Sequence, residues 1–186
     1  MRPHCEGSST MSLLKRLLGI DSGGDDDESD SPTIARIAEA LDGMPKERAH
    51  YIAAFAYVLA RTAHADLRIE DSEVEAMNRA TASLGDLSDD EAKLAVEIAL
   101  SQTREEGGTA NYLVTRKFRD MSTREQRFGL VECLYAISAA DGSISTTESA
   151  EVFKIAEELG LTRQETNGLK SGWKEHLAEF QGLPKK

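Results

Sequence analysis

Cysteines, aromatic residues and long apolar runs are scarce in this sequence of 186 residues, and each scarcity excludes a class of protein. The two cysteines, Cys5 and Cys133, form no Cys-x-x-Cys pair, so neither a disulfide scaffold nor a thiolate metal site is indicated. No apolar run approaches the roughly 18 residues that a transmembrane helix needs. The N-terminus also lacks the apolar core of a secretory signal, so we expect a cytoplasmic protein.

Basic residues are outnumbered by acidic ones, which limits the partners that the protein can bind. The chain has 22 Lys and Arg against 33 Asp and Glu, a formal net charge of −11. An acidic surface repels the phosphates of nucleic acids and of anionic lipids, and it attracts cations or basic partners. We therefore expect protein partners and no nucleic-acid binding.

Signals for β-strands are sparse, whereas signals for helices run along most of the chain. No segment alternates with period two over a useful length, and apolar residues recur at helical spacing instead. We predict an all-α fold, a compact bundle of about eight or nine helices. The last helix is expected to run through Leu177. Hydroxyl residues followed three positions later by Glu predict helix N-termini at Ser88, Ser122, Ser145 and Thr162.

The composition divides the chain into three parts. Residues 1–31 form an N-terminal extension, residues 32–182 form the helical domain, and residues 183–186 form a tail. Hydrophobic residues make up 40% of the chain, which is enough for the domain to bury a core. Met11 is an alternative start to Met1, because the residues before it carry no structural signal.

The extension contains two contrasting segments. Leu13–Ile20 predicts a short amphipathic helix, with leucines on one face and basic residues on the other. Asp21–Asp30 has six acidic residues and no basic one, so we expect a disordered linker there. The helix either docks on its own domain or makes a weak peripheral contact with the inner face of the membrane.

One helix–loop–helix pattern occurs twice in the chain. Residues 59–73 and residues 134–148 share it at a constant offset of 75 positions, as between Asp66 and Asp141, and Leu84-Gly85 and Leu159-Gly160 keep the same offset. A register shared over a whole helix–loop–helix indicates an internal duplication. We therefore predict a bundle that is built on two duplicated hairpins facing each other.

The second copy also carries a family resemblance. The helix ending at Ala140-Asp141-Gly142, followed by Ile144 and Glu148, resembles the tellurite-resistance TerB family, as does the run Tyr112–Arg116. The resemblance covers roughly residues 45–175. It implies a protein of a tellurite-resistance or stress-response system that binds partners, with acidic loop residues linked to a metal ion.

Four carboxylates occupy equivalent positions in the two copies. They are Asp66 and Glu73 in the first copy and Asp141 and Glu148 in the second, with Glu70 as an additional acid in the first. If the hairpins pack around a pseudo-twofold axis, these groups converge and repel one another unless a divalent cation neutralises them. Ligand sets made only of oxygen select hard ions, which here are Ca²⁺, Mg²⁺ or Mn²⁺.

The same loop residues also have an explanation that needs no ligand. Ser145 can cap the helix while Glu148 reaches back to its backbone N–H, and Gly142 can take a left-handed turn. The loop is not an EF-hand, because its first and third positions are Ile137 and Ala139, which have no oxygen donors. The sequence therefore leaves a cation site and a set of structural caps as alternatives.

Signatures of catalysis are missing from the sequence. It has no nucleophile–base pattern, no glycine-rich phosphate loop and no His-Glu-x-x-His motif, so we expect no enzyme. The prediction is a non-catalytic partner-binding protein with a divalent cation between its two acidic loops. The alternative is a metal-free helical interaction or co-chaperone-like module that its N-terminal amphipathic helix locates peripherally.

Overall fold

The computed structural model describes Leu17 and residues 32–62, 71–101, 108–140 and 142–181, with the backbone alone at 32–35, 72, 73 and 108–111. This part of the chain contains eight α-helices and no β-strand beyond one isolated bridge, which confirms the all-α prediction. The helices are α1 (Pro32–Asp42), α2 (Lys46–Thr62), α3 (Asp71–Leu84), α4 (Asp89–Ser101), α5 (Gly108–Met121), α6 (Arg124–Ser138), α7 (Thr146–Glu158) and α8 (Arg163–Gly172). A short 3-10 helix, Ala178–Phe180, follows α8.

Helix α2 forms the centre of the bundle. Every residue from Tyr51 to Leu59 is buried, and a helix that is apolar on all sides must be covered on all sides. Helices α1, α4, α5, α6 and α7 all pack against it. The rings of Tyr51 and Phe55 contact that of Phe118 on α5, with centroids 5.2 and 6.0 Å away. The other elements are therefore positioned relative to α2.

The two copies of the repeated pattern correspond to α2 with α3 and to α6 with α7. Helices α6 and α7 pack against each other, whereas α2 and α3 each pack extensively against α4. The loop of the first copy, residues 63–70, lies outside the part of the chain that the structure describes. The duplication and the facing hairpins therefore stay a prediction.

Capping boxes open four of the described helices. Three of them pair Ser88 with Glu91, Ser145 with Glu148 and Thr162 with Glu165. The prediction for α6 was wrong by one residue, because its N-cap is Thr123 and not Ser122. The Thr123 N–H donates to the side-chain oxygen of Gln126 at 2.8 Å, so an amide takes the place expected for a glutamate.

The prediction that the last helix continues through Leu177 was also wrong. Helix α8 ends at Gly172, and Trp173 already has a non-helical backbone with φ −105° and ψ 12°. The following residues turn back towards the loop between α6 and α7, where Leu177 is buried. None of the described helices has both the length and the hydropathy to cross a membrane. The predicted helix Leu13–Ile20 lies outside the described residues except for Leu17, which is helical and half-buried against the core.

An arginine–glutamate pair joins α2 to α4 and makes the fold sensitive to acid. Arg48 donates two hydrogen bonds of 2.6 Å to the carboxylate of Glu91. These bonds lower the pKa of Glu91 from its usual value of 4.5 to about 2. The unfolded chain therefore takes up a proton at Glu91 before the folded chain does. The contribution of this pair to stability is complete above pH 4.5 and is lost as the pH falls towards 2.

We expect Glu91→Gln to lose less stability than the wild type between pH 4.5 and pH 2. Glutamine keeps the capping geometry but removes the titrating group. Urea unfolding at several pH values across this window measures the difference. The matched control is Asp90→Asn, which changes the fully exposed carboxylate directly before Glu91. Equal pH dependence of the wild type and of Glu91→Gln would contradict the prediction.

Candidate functional site

The loop between α6 and α7 is anchored through its own residues. Gly142 has a φ of +94°, in the left-handed region that favours glycine. The side chain of Ile144 is 1% exposed and belongs to the core. The Ser145 N–H donates to Glu148 Oε2 at 2.8 Å, and the Glu148 N–H donates to Ser145 Oγ at 3.2 Å. Local geometry therefore determines the backbone of this loop on the side of α7.

The residues after α8 hold the same loop from its other side. The Ile144 N–H donates to the carbonyl of His176 at 2.6 Å, and the Ala178 N–H donates to the carbonyl of Ile144 at 2.9 Å. The side-chain amide of Gln181 donates to the carbonyl of Gly142 at 3.0 Å. A loop fixed on both sides presents its side chains in one orientation, as a binding site requires.

A buried arginine joins the end of α2 to α7. The Arg61 side chain is 4% exposed, and its guanidinium donates to Glu158 Oε2 at 2.5 Å and to Glu151 Oε1 at 2.7 Å. It also donates to the hydroxyl of Thr115 on α5 at 2.8 Å. The network therefore ties three helices together through charge-assisted hydrogen bonds.

The charge of Arg61 is stable in this environment. Burial disfavours the charged guanidinium, but the hydrogen bonds and charges of Glu158 and Glu151 outweigh burial and raise the pKa of Arg61 above its usual value. The arginine therefore stays positive at any physiological pH. Its single positive charge offsets half of the negative charge of Glu151 and Glu158, two acids on the helix that begins after the loop Gly142–Ser145.

The structure describes only part of the predicted carboxylate set. Asp66, Glu70 and Asp141 lie outside the described residues, as does the side chain of Glu73. Glu148 is described, and its carboxylate takes part in the capping box of α7. Among the described residues, no group of three or more His, Cys, Asp and Glu side chains could hold a metal ion. Whether the two loops share a cation therefore stays a prediction.

The sequence did not identify the Arg61 network. Its partners Glu151 and Glu158 are seven residues apart, which places them on one face of α7, but many exposed acidic pairs have the same spacing. Nothing in the sequence around Arg61 indicates that its side chain turns towards a helix some 90 residues away. The spacing of the glutamates was the one signal available, and it was weak.

Cys133 on α6 has no features of a reactive thiol. Its side chain is fully buried, and its Sγ lies 3.5 Å from the hydroxyl of Thr81. Burial raises the pKa of Cys133 to about 12, so the thiol stays protonated at neutral pH. It acts as a small apolar residue of the core, which agrees with its position on the buried face of α6.

Comparison with known proteins identifies the family. The family model described as "Tellurite resistance protein TerB" matches residues 50–171, which extend from α2 into α8 and include both copies of the repeated pattern. The comparisons with curated proteins and with solved structures found no match. The residues beyond α8 that hold the loop Gly142–Ser145 lie outside the matched range. Because the match covers about two thirds of the sequence and agrees with the resemblance of its motifs, the chain belongs to the TerB family.

Proposed function

We propose that this protein acts in tellurite resistance as a non-catalytic module that binds partner proteins, with a divalent cation held between its two acidic loops. Membership of the TerB family supports the connection with tellurite resistance. The net charge of −11 supports cations and basic protein surfaces as ligands. The two loops are the segments that contain Asp66 and Asp141.

The observation that carries this proposal is the contact between Arg61 and α7. Helix α2 ends at Thr62, so the first acidic loop begins two residues after Arg61, which is bound to α7. Helix α7 in turn begins directly after the second acidic loop. Glu148 precedes Glu151, a partner of Arg61, by about one helical turn. The residue Arg61, shortly before the first loop, and the residues that follow the second loop therefore lie at the same helix.

The chemistry of the residues fits a hard cation. The set Asp66, Glu73, Asp141 and Glu148 offers only carboxylate oxygens, which suit Ca²⁺, Mg²⁺ and Mn²⁺. A carboxylate has about four lone-pair sites, so a capping hydrogen bond at Glu148 is compatible with ligation. When bound, the cation would neutralise the acids and join the two loops.

Thermal unfolding in the presence of cations tests the proposal. The full-length protein is treated with EDTA and melted again with millimolar Ca²⁺, Mg²⁺ or Mn²⁺. A cation present at about 100 times its Kd should stabilise the fold by about 2.7 kcal/mol. We expect this shift in the wild type and its loss in the variant Asp66→Asn with Asp141→Asn.

The matched control removes two other acids. Asp89→Asn with Asp90→Asn changes the net charge by the same amount at two exposed residues in the first turn of α4. This variant should retain the whole shift, which separates a specific site from general screening of negative charge. A shift that is absent with every ion, or that survives in the Asp66 and Asp141 variant, would overturn the cation site.

The metal-free interaction module is the second candidate, and one observation favours it. The capping box of Ser145 and Glu148 is complete without an ion. Under this alternative, the loop Gly142–Ser145 is a rigid protein-binding element whose stability does not depend on cations. The same melts therefore distinguish the two functions.

A further inference from the structure

Helix α5 exposes a face that is apolar at one end and basic at the other. Tyr112 and Leu113 are 44% and 41% exposed, and they are two of the three large apolar side chains that the described part of the chain leaves exposed. Arg116 and Lys117 follow four residues later and are exposed as well. Residues four positions apart lie on the same side of a helix, so these side chains form one continuous surface, the α5 face.

The core determines the orientation of this surface. On the opposite side of α5, Val114 and Phe118 are completely buried, and the helix packs against α2 and α7. Turning the α5 face inward would expose these two apolar residues to water, which is unfavourable. The α5 face is therefore a fixed part of the molecular surface.

In the part of the chain that the structure describes, the two cations of the α5 face have no carboxylate partner. Within the described residues, neither Arg116 nor Lys117 forms an ion pair or a side-chain hydrogen bond. Other arginines of the fold do so, and Arg36, Arg48, Arg61 and Arg124 each bind a glutamate. Two adjacent unpaired cations are unexpected in a chain with eleven more acidic than basic residues.

The N-terminal extension has the complementary order of residues. The leucine-rich segment Leu13–Ile20 is followed by Asp21–Asp30, with six acids and no basic residue. The α5 face has the same order, apolar and then charged, but with the opposite charge. The carboxylates of Asp21–Asp30 are therefore complementary in charge to the cations of the α5 face.

The length of the chain allows the contact. Leu17 packs against the core, and Pro32 begins α1, so the intervening residues are attached to the domain at both ends. Residues 18–31 can span on the order of 45–50 Å when extended, more than the diameter of a domain of this size. Helices α1 and α5 also pack on the same helix, α2. The acidic segment can therefore reach the α5 face from both of its attachment points.

We propose that the acidic segment Asp21–Asp30 binds in cis to the α5 face, with its carboxylates at Arg116 and Lys117. The proposal does not depend on the function in tellurite resistance or on the cation. It gives the extension a role as an internal ligand that covers a basic surface. A partner with an acidic segment would have to displace it before it could bind there.

Paramagnetic relaxation in the full-length protein tests the contact. A spin label is attached at Ser29→Cys in a Cys5→Ser background, where Cys133 is buried and does not react. We expect loss of the amide signals of residues 112–117 at low salt, with signals of α4 unaffected. The loss should be reversed at about 1 M salt, where the Debye length falls to about 3 Å.

Charge reversal supplies the matched comparison. Arg116→Glu with Lys117→Glu should restore the lost signals, whereas Lys46→Glu with Lys93→Glu, at two other exposed lysines, should leave them lost. Signals that remain intense in the labelled wild type, or a loss that Arg116→Glu with Lys117→Glu does not change, would overturn the proposal. Loss of signals only when label and isotope are on different copies would also overturn binding in cis.

Discussion

Arg61→Ala is expected to lower the free energy of unfolding by about 3–5 kcal/mol, because it leaves the carboxylates of a buried ion pair without their cation. Glu158 is the more affected of the two, since its side chain is only 11% exposed, whereas that of Glu151 is 34% exposed. The hydroxyl of Thr115 also loses the hydrogen bond from Arg61. Urea unfolding at neutral pH measures the change.

Two comparisons make this prediction specific. Arg79→Ala removes an exposed arginine that is 3.5 Å from Glu75, and it should cost at most about 1 kcal/mol. Glu151→Gln with Glu158→Gln, added to Arg61→Ala, should recover part of the loss because it removes the unpaired charges. If Arg61→Ala lowered the free energy of unfolding no more than Arg79→Ala does, the prediction would be contradicted.

Gly129→Ala is expected to destabilise the protein by about 1–3 kcal/mol or more, because a methyl group at this position has no space. Gly129 lies on α6 where this helix packs against the end of α3. A Cβ atom there would overlap the backbone carbonyl oxygen of Leu84. A backbone group cannot move aside as a side chain can, so α3 and α6 must separate. Denaturant unfolding and the melting temperature report the loss.

The same substitution in another helix should have the opposite sign. At Gly168 on α8 no atom lies within 4 Å of the added Cβ, and the backbone there is helical. Gly168→Ala should therefore stabilise the protein by about 0.5–1 kcal/mol, because alanine has the higher helix propensity. Equal effects of the two substitutions would show that α3 and α6 are further apart than described.

Helix positions were largely predictable because their causes are local. An N-cap and its partner lie three residues apart, so the boxes that begin at Ser88 and Thr162 can be recognised without knowledge of the fold. The α6 cap was ambiguous, since Ser122 and Thr123 are both hydroxyl residues. The side-chain amide of Gln126 donates to Asp86 Oδ2 at 2.9 Å, a contact that the sequence does not reveal. The residue that pairs with Thr123 in the capping box is therefore also held by a tertiary contact.

The candidate site was predictable only in part, for the same reason. Equal spacing of Asp66 and Asp141 in two copies of one pattern predicted the acidic loops to be related positions. Which groups lie beside these loops depends on the packing of distant helices. The backbone hydrogen bonds between Ile144 and the residues near Leu177 join parts of the chain more than thirty residues apart. The residues near Leu177 make these bonds and, contrary to the prediction, do not continue the last helix.

Periodicity, caps and motifs act over a few residues, so the helical class, most of the predicted helix N-termini and the family followed from local patterns. Which charges meet depends on how the helices pack. Arg61 finds its partners 90 and 97 residues further along the chain, at a distance where no local pattern remains. Burial makes this pairing strong, and burial is a property of the assembled bundle.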